Sequence, residues 1–316
     1  MRVFVCKRSA YLLLSGMQES DIANLPRLGS FKGYASSASC ITETPLSLLG
    51  REDIELDLLL PDAAKRQKKS GIKWHVWSGP LRRGSFIEVS ESVCVTSPEF
   101  LFLQMAAKLS FRGLVELGME LCGTYSFSSY EPGFVQRVVP ISTVKSISRF
   151  LDGMKGSYGS RHAREALKWV SEGSASPAET KAFMKLTLSR YRGGFACPAP
   201  VLNYRLELPA RYSSMIGKAY LVLDMYFPDR KVAIEYDSNM FHVGSERISS
   251  DARRRNLLEH MGIKVITLTS DQLNDPWKFE AFVRQVAKAT GKRFRAQNNQ
   301  LRARDINLYK ELGIAP

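Results

Sequence analysis

Leu221-Val222-Leu223-Asp224, a turn through Pro228-Asp229, and Val232-Ala233-Ile234-Glu235-Tyr236-Asp237 decide how the second half of this chain folds. Both arms are apolar and β-prone, so they predict a hairpin of two buried strands. Successive strand residues alternate faces, which puts Glu235 and Asp237 on one side and Tyr236 on the other. Asp224 ends the first arm, where pairing is expected to bring it beside Glu235. Carboxylates that converge on an apolar sheet are costly unless something positive holds them. A hard divalent cation, Mg²⁺ above all, is the ligand that oxygen-only clusters suit.

A plainer account competes. Asp224 can cap a turn, and Glu235 and Asp237 can lie on the solvated face of an edge strand, as most charged strand residues do. The arm holding Glu235 is nevertheless apolar on both sides of its alternation, which favours a central strand. Phe241-His242 then leads to Ser245, a good N-cap, and a helical run to about Met261 closed by Gly262. Ile248, Ala252, Leu258 and Met261 form its apolar stripe. Arg247, Asp251, Arg254 and Arg255 recur on another face, where a surface ion pair and a phosphate-directed face explain them equally well. Ile263 to Thr269 reads as another strand, and Ser270 to Thr290 as a helical segment with Gly291 beyond it.

Taken as an ordered set, Asp224, Glu235-Tyr236-Asp237, His242, Arg247, Asp251, Arg254, Leu257 and Gly262 resemble the very-short-patch-repair-like nucleases. That branch belongs to the restriction-endonuclease-like superfamily, whose core motif is an Asp, then Asp or Glu, any residue, and Lys. Ser176-Pro177-Ala178-Glu179-Thr180 resembles the opening helix of the same domain, and Pro198 to Asn203 the approach to its first strand. The resemblance implies Asp224 and Glu235 as metal ligands, with the Tyr236 backbone carbonyl as a third. Asp237 stands where the wider superfamily has its lysine, a departure common in this branch. His242 is implied as a general acid/base or phosphate contact, though a lone His before a helix is more often structural. Ser238 stands where the family often has Gly, and His242 lies one residue later than in many members. Arg247, Asp251 and Arg254 are implied as supports that touch the nucleic-acid backbone, with Arg255 beside them. Glu179 is explained as the partner of Ser176 in a capping box after Pro177. In related nucleases an acidic residue of the first helix also approaches the metal.

These residue types suit phosphodiester cleavage. A metal on Asp224 and Glu235 supplies an activated water and polarises phosphate oxygens. His242 has the unperturbed pKa of a proton shuttle near neutrality. Mg²⁺ is the expected cofactor, with Mn²⁺ as a substitute; zinc and nucleotide cofactors are not expected. The five cysteines show no paired Cys-x-x-Cys spacing, and no Walker-type Gly loop or Gly-x-Ser-x-Gly elbow occurs.

The chain of 316 residues carries 45 Lys and Arg against 31 Asp and Glu, a net charge of +14. The excess is spread over both halves, +8 from Ser171 onward and +6 before it. A nucleic-acid partner accounts for that spread, and so does a solvated basic surface. Arg253-Arg254-Arg255, Lys292-Arg293-Phe294-Arg295 and Lys65-Arg66-Gln67-Lys68-Lys69 are the local clusters. No apolar run is long enough to span a membrane, and the start is too short for a signal-peptide core. The cysteine pattern fits a reducing, cytoplasmic compartment.

The first half predicts a strand and helix over Arg2 to Leu14, a strand at Glu55 to Leu60, and a short basic helix from Ala63 to Lys69. It continues with a strand at Lys73 to Trp77, a hairpin at 86–95, and helices after Pro98 and from Arg112 to Cys122. This order resembles, in rhythm, the N-terminal parts of abortive-infection-type antitoxin proteins. Trp74 and Trp77 read as core aromatics more readily than as base-stacking platforms. The expected class is α/β, a mixed α+β chain: an N-terminal α+β domain over 1–130, a helical connector over 131–172, a restriction-endonuclease-like mixed sheet with flanking helices over 173–290, and a basic tail over 291–316. The expected function is a bacterial, metal-dependent DNA endonuclease of repair, restriction or phage defence. The alternatives are a non-catalytic DNA-binding regulator and an RNA-cleaving toxin, with homo-oligomerisation left open.

Overall fold

A computed structural model describes residues 2–17, 19–34, 55–66, 68–127, 133–237 and 245–313; the side chains of residues 19, 20 and 245–251 lie outside that description. The chain is mixed α+β and divides into two compact units, Met1–Glu172 and Gly173–Pro316.

In the first unit, β1 (Val3–Val5) leads into α1 (Lys7–Gly16), α2 (Glu19–Asn24) and β2 (Arg27–Leu28). Then come β3 (Leu56–Leu60), β4 (Ile72–Val76), the hairpin β5 (Phe86–Glu88) and β6 (Val93–Thr96), α3 (Pro98–Met105) and α4 (Phe111–Leu121). The sheet has six strands in the order β2-β5-β6-β1-β3-β4. β1 and β3 occupy its middle because every residue in both is buried, so neither has a polar face to turn to water. The basic stretch after Asp62 forms only a single 3₁₀ turn, Ala63–Lys65, rather than a helix to Lys69. Asp62 caps that turn, and Arg66 already has extended backbone.

The stretch 131–172 is not a connector. It holds β8 (Phe134–Gln136), paired with β7 (Tyr125–Phe127), then α5 (Val144–Asp152) and α6 (Ser160–Leu167). α5 buries Ile147, Phe150 and Leu151, and α6 buries Ala163, Ala166 and Leu167, against α3 and α4. Its polar residues lie on the outer faces of short amphipathic helices, which is why the segment reads as a linker in the sequence.

The second unit runs α7 (Pro177–Thr187), β9 (Val201–Glu207), α8 (Ala210–Ile216), β10 (Tyr220–Phe227), β11 (Val232–Asp237), α9 (Ser245–His260) and β12 (Lys264–Thr269). It ends with α10 (Ser270–Asn274), α11 (Pro276–Ala289) and α12 (Asn299–Glu311). Its sheet has the order β12-β11-β10-β9. The expected hairpin is β10 with β11, antiparallel in the register Met225↔Ile234, and β11 runs parallel to β12. α9 covers one face, where Leu257 and Leu258 pack with Leu221, Leu223, Tyr226 and Ala233. Gly262, at φ 73°, takes the left-handed conformation that releases the chain from α9 into β12. The run from Ser270 to Thr290 is two helices, because Pro276 cannot continue the first and the Asp275 carboxylate caps the amides of Trp277 and Lys278.

Residues 291–316 do not form a free tail over their described part. α12 returns to α7, where Lys185 Nζ lies 2.8 Å from Asp305 Oδ1 with both side chains 0% exposed. The Lys185 ammonium also stands 3.0 Å above the Tyr309 ring. Gly193 permits this approach: a Cβ there would come within 2.5 Å of the Arg304 carbonyl. Burial pulls the Lys185 ammonium down to about 8 and pushes the Asp305 carboxyl up, so each charge is sustained by the other. A composition rich in Arg and Lys hides this pair, since the one cation that matters is inside.

Truncating one partner leaves a buried charge alone. Asp305→Ala is expected to destabilise the second unit by about 3–5 kcal/mol, whereas Lys185→Met with Asp305→Leu recovers most of that loss. Urea denaturation of the single and double variants checks both signs.

Candidate active site

Asp224 and Glu235 face each other across the β10–β11 pair, one step beyond Met225↔Ile234. Asp224 is fixed by the neighbouring strand: its Oδ2 accepts the Tyr236 amide at 2.8 Å. Glu235 lies two residues beyond Ala233 on β11, and so on the face covered by α9. Arg254 precedes Leu258 by four residues, so the helix face that buries Leu258 also turns Arg254 toward the sheet. Its Nη2 donates to Glu235 Oε2 at 2.8 Å and to the Val222 carbonyl at 2.6 Å. The other Glu235 oxygen, Oε1, is buried and has no hydrogen-bond partner.

Glu179 is the third acid, delivered by the first turn of α7. Ser176 Oγ accepts the Glu179 amide at 3.1 Å, and Pro177 opens the helix, as the sequence predicts. The return bond differs from the expected box. Glu179 Oε2 accepts the Ala175 amide at 2.9 Å, and Oε1 accepts the Ser176 hydroxyl at 2.8 Å. Asn203 adds a donor that the sequence reading missed. Its side-chain amide gives one bond to Glu179 Oε2 at 2.6 Å and one to the Gly173 carbonyl at 2.8 Å. Asn203 does so from a left-handed backbone, φ 46°, inside β9. An asparagine in a strand is disfavoured and tolerates that conformation better than most residues, so its presence between Leu202 and Tyr204 was the available signal.

These carboxyls sense one another from three separate elements. Burial raises Glu179, Asp224 and Glu235 alike. The charge of Asp224 raises Glu179 and Glu235 further, and that of Glu179 adds to Glu235. Arg254 opposes this, yet Glu235 is still pushed up to about 7. One arginine therefore does not neutralise the cluster.

The donor set fits a hard divalent cation: carboxylate oxygens only, an excess of negative charge, and one buried oxygen left without a partner. As the side chains stand, no three His, Cys, Asp or Glu among the described residues form a ready cage. Each acid is instead held by backbone amides, Asn203 or Arg254.

Other predicted residues fall as follows. Asp237 ends β11 in register with Thr269, and strand alternation puts it on the side of Glu235. Tyr236, whose carbonyl was the expected third ligand, contributes its amide to Asp224. Arg255 Nη2 donates to Thr267 Oγ1 at 3.0 Å, and Thr267 is the β12 neighbour of Glu235. Arg247 and Asp251 belong to α9, but their side chains lie outside the described residues, as does His242 altogether.

Basic surface occurs in each unit. In the second, Arg190, Lys292, Arg293 and Arg295 line a hollow of about 330 Å³ with Phe195 and Phe294 at its wall. In the first, Arg27, Arg82, Arg83 and Arg149 line one of about 510 Å³. Cys6, Cys94, Cys122 and Cys197 are free and buried, while Cys40 lies outside the described residues. Trp77 packs edge-on to Phe100 with ring centres 4.8 Å apart but stays half-buried, so it sits at the boundary of the core rather than within it as expected. Among the described residues no helix is long and apolar enough to cross a membrane.

The sign of the pH dependence follows from Glu235. Its folded value of about 7 exceeds the ordinary carboxyl value of about 4.3. Between those values the folded chain keeps a proton that the unfolded chain has lost, so stability falls as pH rises through that window. Glu235→Gln is expected to flatten this slope of Tm between about pH 5 and pH 8, and Mg²⁺ or Mn²⁺ to restore the wild-type Tm at the upper end but not that of the variant.

A scan against family models, a search of curated proteins and a search of solved structures return no match to this chain.

Proposed function

We propose that the second unit is a metal-dependent endonuclease of the restriction-endonuclease-like superfamily, in its very-short-patch-repair-like branch, and that it hydrolyses phosphodiester bonds in DNA. The observation that carries this reading is the convergence of Glu179, Asp224 and Glu235 from α7, β10 and β11, with an unpartnered Glu235 oxygen and one arginine between them. A protein that only binds DNA has no use for buried negative charge facing phosphate.

In this reading Asp224 and Glu235 hold Mg²⁺ or Mn²⁺ together with the Tyr236 carbonyl, and Glu179 supports the position through Asn203. When bound, the ion supplies an activated water and a polarised scissile phosphate. Asp224 keeps its orientation through the Tyr236 amide whether or not an ion is present, so one ligand is preset. Arg254 balances Glu235 in the resting arrangement. Once Glu235 is engaged, that guanidinium is available to the phosphate that carries the new negative charge. Asp237 and His242 are the groups left to move protons, and Arg247, Asp251 and Arg255 to support the helix and the strand backbone. The basic hollows of both units supply the long-range attraction for a polyanion. The free cysteines suit a reducing cytoplasm in a bacterial cell, with repair, restriction or phage defence as the setting.

Cleavage of supercoiled plasmid with Mg²⁺ or Mn²⁺ tests this directly. Wild-type protein is expected to nick or linearise it, and Glu235→Ala to lose at least about a hundredfold in rate, the scale of removing a positioned electrostatic partner. Salt-sensitive DNA binding without cleavage under either metal would show a regulator instead. Activity confined to RNA would show a ribonuclease.

A further inference from the structure

The first unit holds a second polar site that the nuclease reading does not use. A cavity of about 380 Å³ is lined by Lys7, His75, Trp77, Gln104 and Ser157 among others. Lys7 Nζ lies 2.9 Å from His75 Nδ1, and His75 Nε2 lies 2.5 Å from Asp57 Oδ1. Asp57 is held below its ordinary range. Burial raises it, but the hydrogen bond with His75 and the nearby Lys108 more than reverse that. An ionised Asp57 accepts the hydrogen bond of Nε2–H, and in that neutral tautomer Nδ1 accepts from Lys7 Nζ. The chain of bonds thus runs Lys7 to His75 to Asp57, and leaves two ammonium hydrogens of Lys7 for the cavity.

Further observations around Lys7 point the same way. Gln104 is 4% exposed, its Oε1 accepts the Lys7 amide at 3.4 Å, and its Nε2 is buried with no partner. The buried Ser157 hydroxyl has none either. Lys7 is the first residue of α1, a helix of ten residues whose N-cap, Cys6, provides no side-chain bond and whose first turn has no acid. Lys7 also adopts φ 49°, a conformation that costs a lysine energy and is kept where the surroundings impose it. Lys108 presses its like charge on Lys7, which together with burial lowers the Lys7 pKa. The Lys7 ammonium, an orphan amide N–H and an orphan hydroxyl thus line one cavity beside a helix N-terminus, with the Lys108 charge close by.

We propose that this cavity binds a phosphate monoester, its oxygens on Lys7, Gln104 and Ser157 with the Lys108 charge close by, and its organic body against Trp77. A phosphate monoester matches the donor count better than a carboxylate, because it offers three strong acceptor oxygens and up to two charges. The cavity volume lies within the range of small-molecule sites, and Trp77 contributes an aromatic side chain to its wall. This inference does not depend on the nuclease reading.

Isothermal titration of the full chain with adenosine monophosphate, inorganic phosphate and adenosine tests it. The monophosphate is expected to bind, phosphate more weakly, and adenosine not measurably. Lys7→Gln and Lys108→Ala are each expected to weaken the monophosphate by about tenfold, equal to about 1.4 kcal/mol. Lys108 is exposed, so its replacement leaves the fold intact, which an unchanged Tm verifies. Glu235→Gln should leave the affinity unchanged, which separates this site from the acid cluster. A 5′-phosphorylated tetranucleotide compared with its 5′-hydroxyl form identifies the source. Tighter binding than the monophosphate assigns the cavity to strand ends and weaker binding to free nucleotides, and either upholds it. Failure of both phosphates to bind, equal binding of adenosine, or indifference to both lysine changes overturns the proposal.

Discussion

The second unit is organised around a repulsion. Three carboxyls from three elements are raised by burial, Asp224 raises Glu179 and Glu235 further, and among the described residues the Arg254 guanidinium opposes this at Asp224 and Glu235. In a medium of reduced dielectric such charges do not stay together by default. What keeps them is a set of donors that belong to the backbone or to packed side chains: the Tyr236 amide, the Ala175 amide, Asn203 and Arg254. The elements that carry these donors must therefore be held rigidly. α7 shows how this is done, because its first turn delivers Glu179 while its interior delivers Lys185 to Asp305. The buried pair on one side of the helix anchors the acid on the other, so a stability device and a site device share eleven residues.

Much of this was legible because it rests on local rules. The hairpin was readable from two β-prone arms and a Pro-Asp turn, and the pairing of Asp224 with Glu235 followed from alternation. Ser176, Pro177 and Glu179 announced the start of α7, and Gly262 the end of α9. What sequence did not show rests on packing between distant elements. Arg254 can pair along its own helix or turn to the sheet, and only the docking of Leu257 and Leu258 decides for Glu235. α12 looks like a soluble basic segment because Asp305, its buried anchor, is indistinguishable in sequence from a surface aspartate. The segment 131–172 misleads for the converse reason: its helices are short, so few buried residues in each are enough to make it part of the first unit.

The double duty of Glu179 shows why structural and functional explanations need not compete. As a helix-start residue it has all the bonds it requires from Ser176 and Ala175. Asn203 is not needed for that purpose, yet it adds a short bond from a strained backbone. Strain of this kind persists where the surroundings over-determine a position, and here the position fixed is that of a carboxylate relative to Asp224. The cap explains why an acid is tolerated at the start of α7, and Asn203 explains why it points where it does.

Net charge and local charge have opposite signs in this chain, and that opposition has a physical consequence. A surplus of +14 attracts a polyanion from a distance, over a range set by salt. At contact, the buried acids of the second unit repel the same phosphates, and one arginine already committed to Glu235 cannot reverse this. A divalent cation changes the sign at the contact point without altering the attraction from afar. In the proposed nuclease, association and close approach are governed by different groups: surface lysines and arginines for the first, and Asp224 and Glu235 with a bound ion for the second. The first unit needs no such intermediary. Its cavity presents ammonium and amide donors directly, because Asp57, the acid behind them, is screened by His75. On these two proposals, the same two kinds of side chain give one unit a demand for a cation and the other a demand for an anion, according to which of them faces the opening.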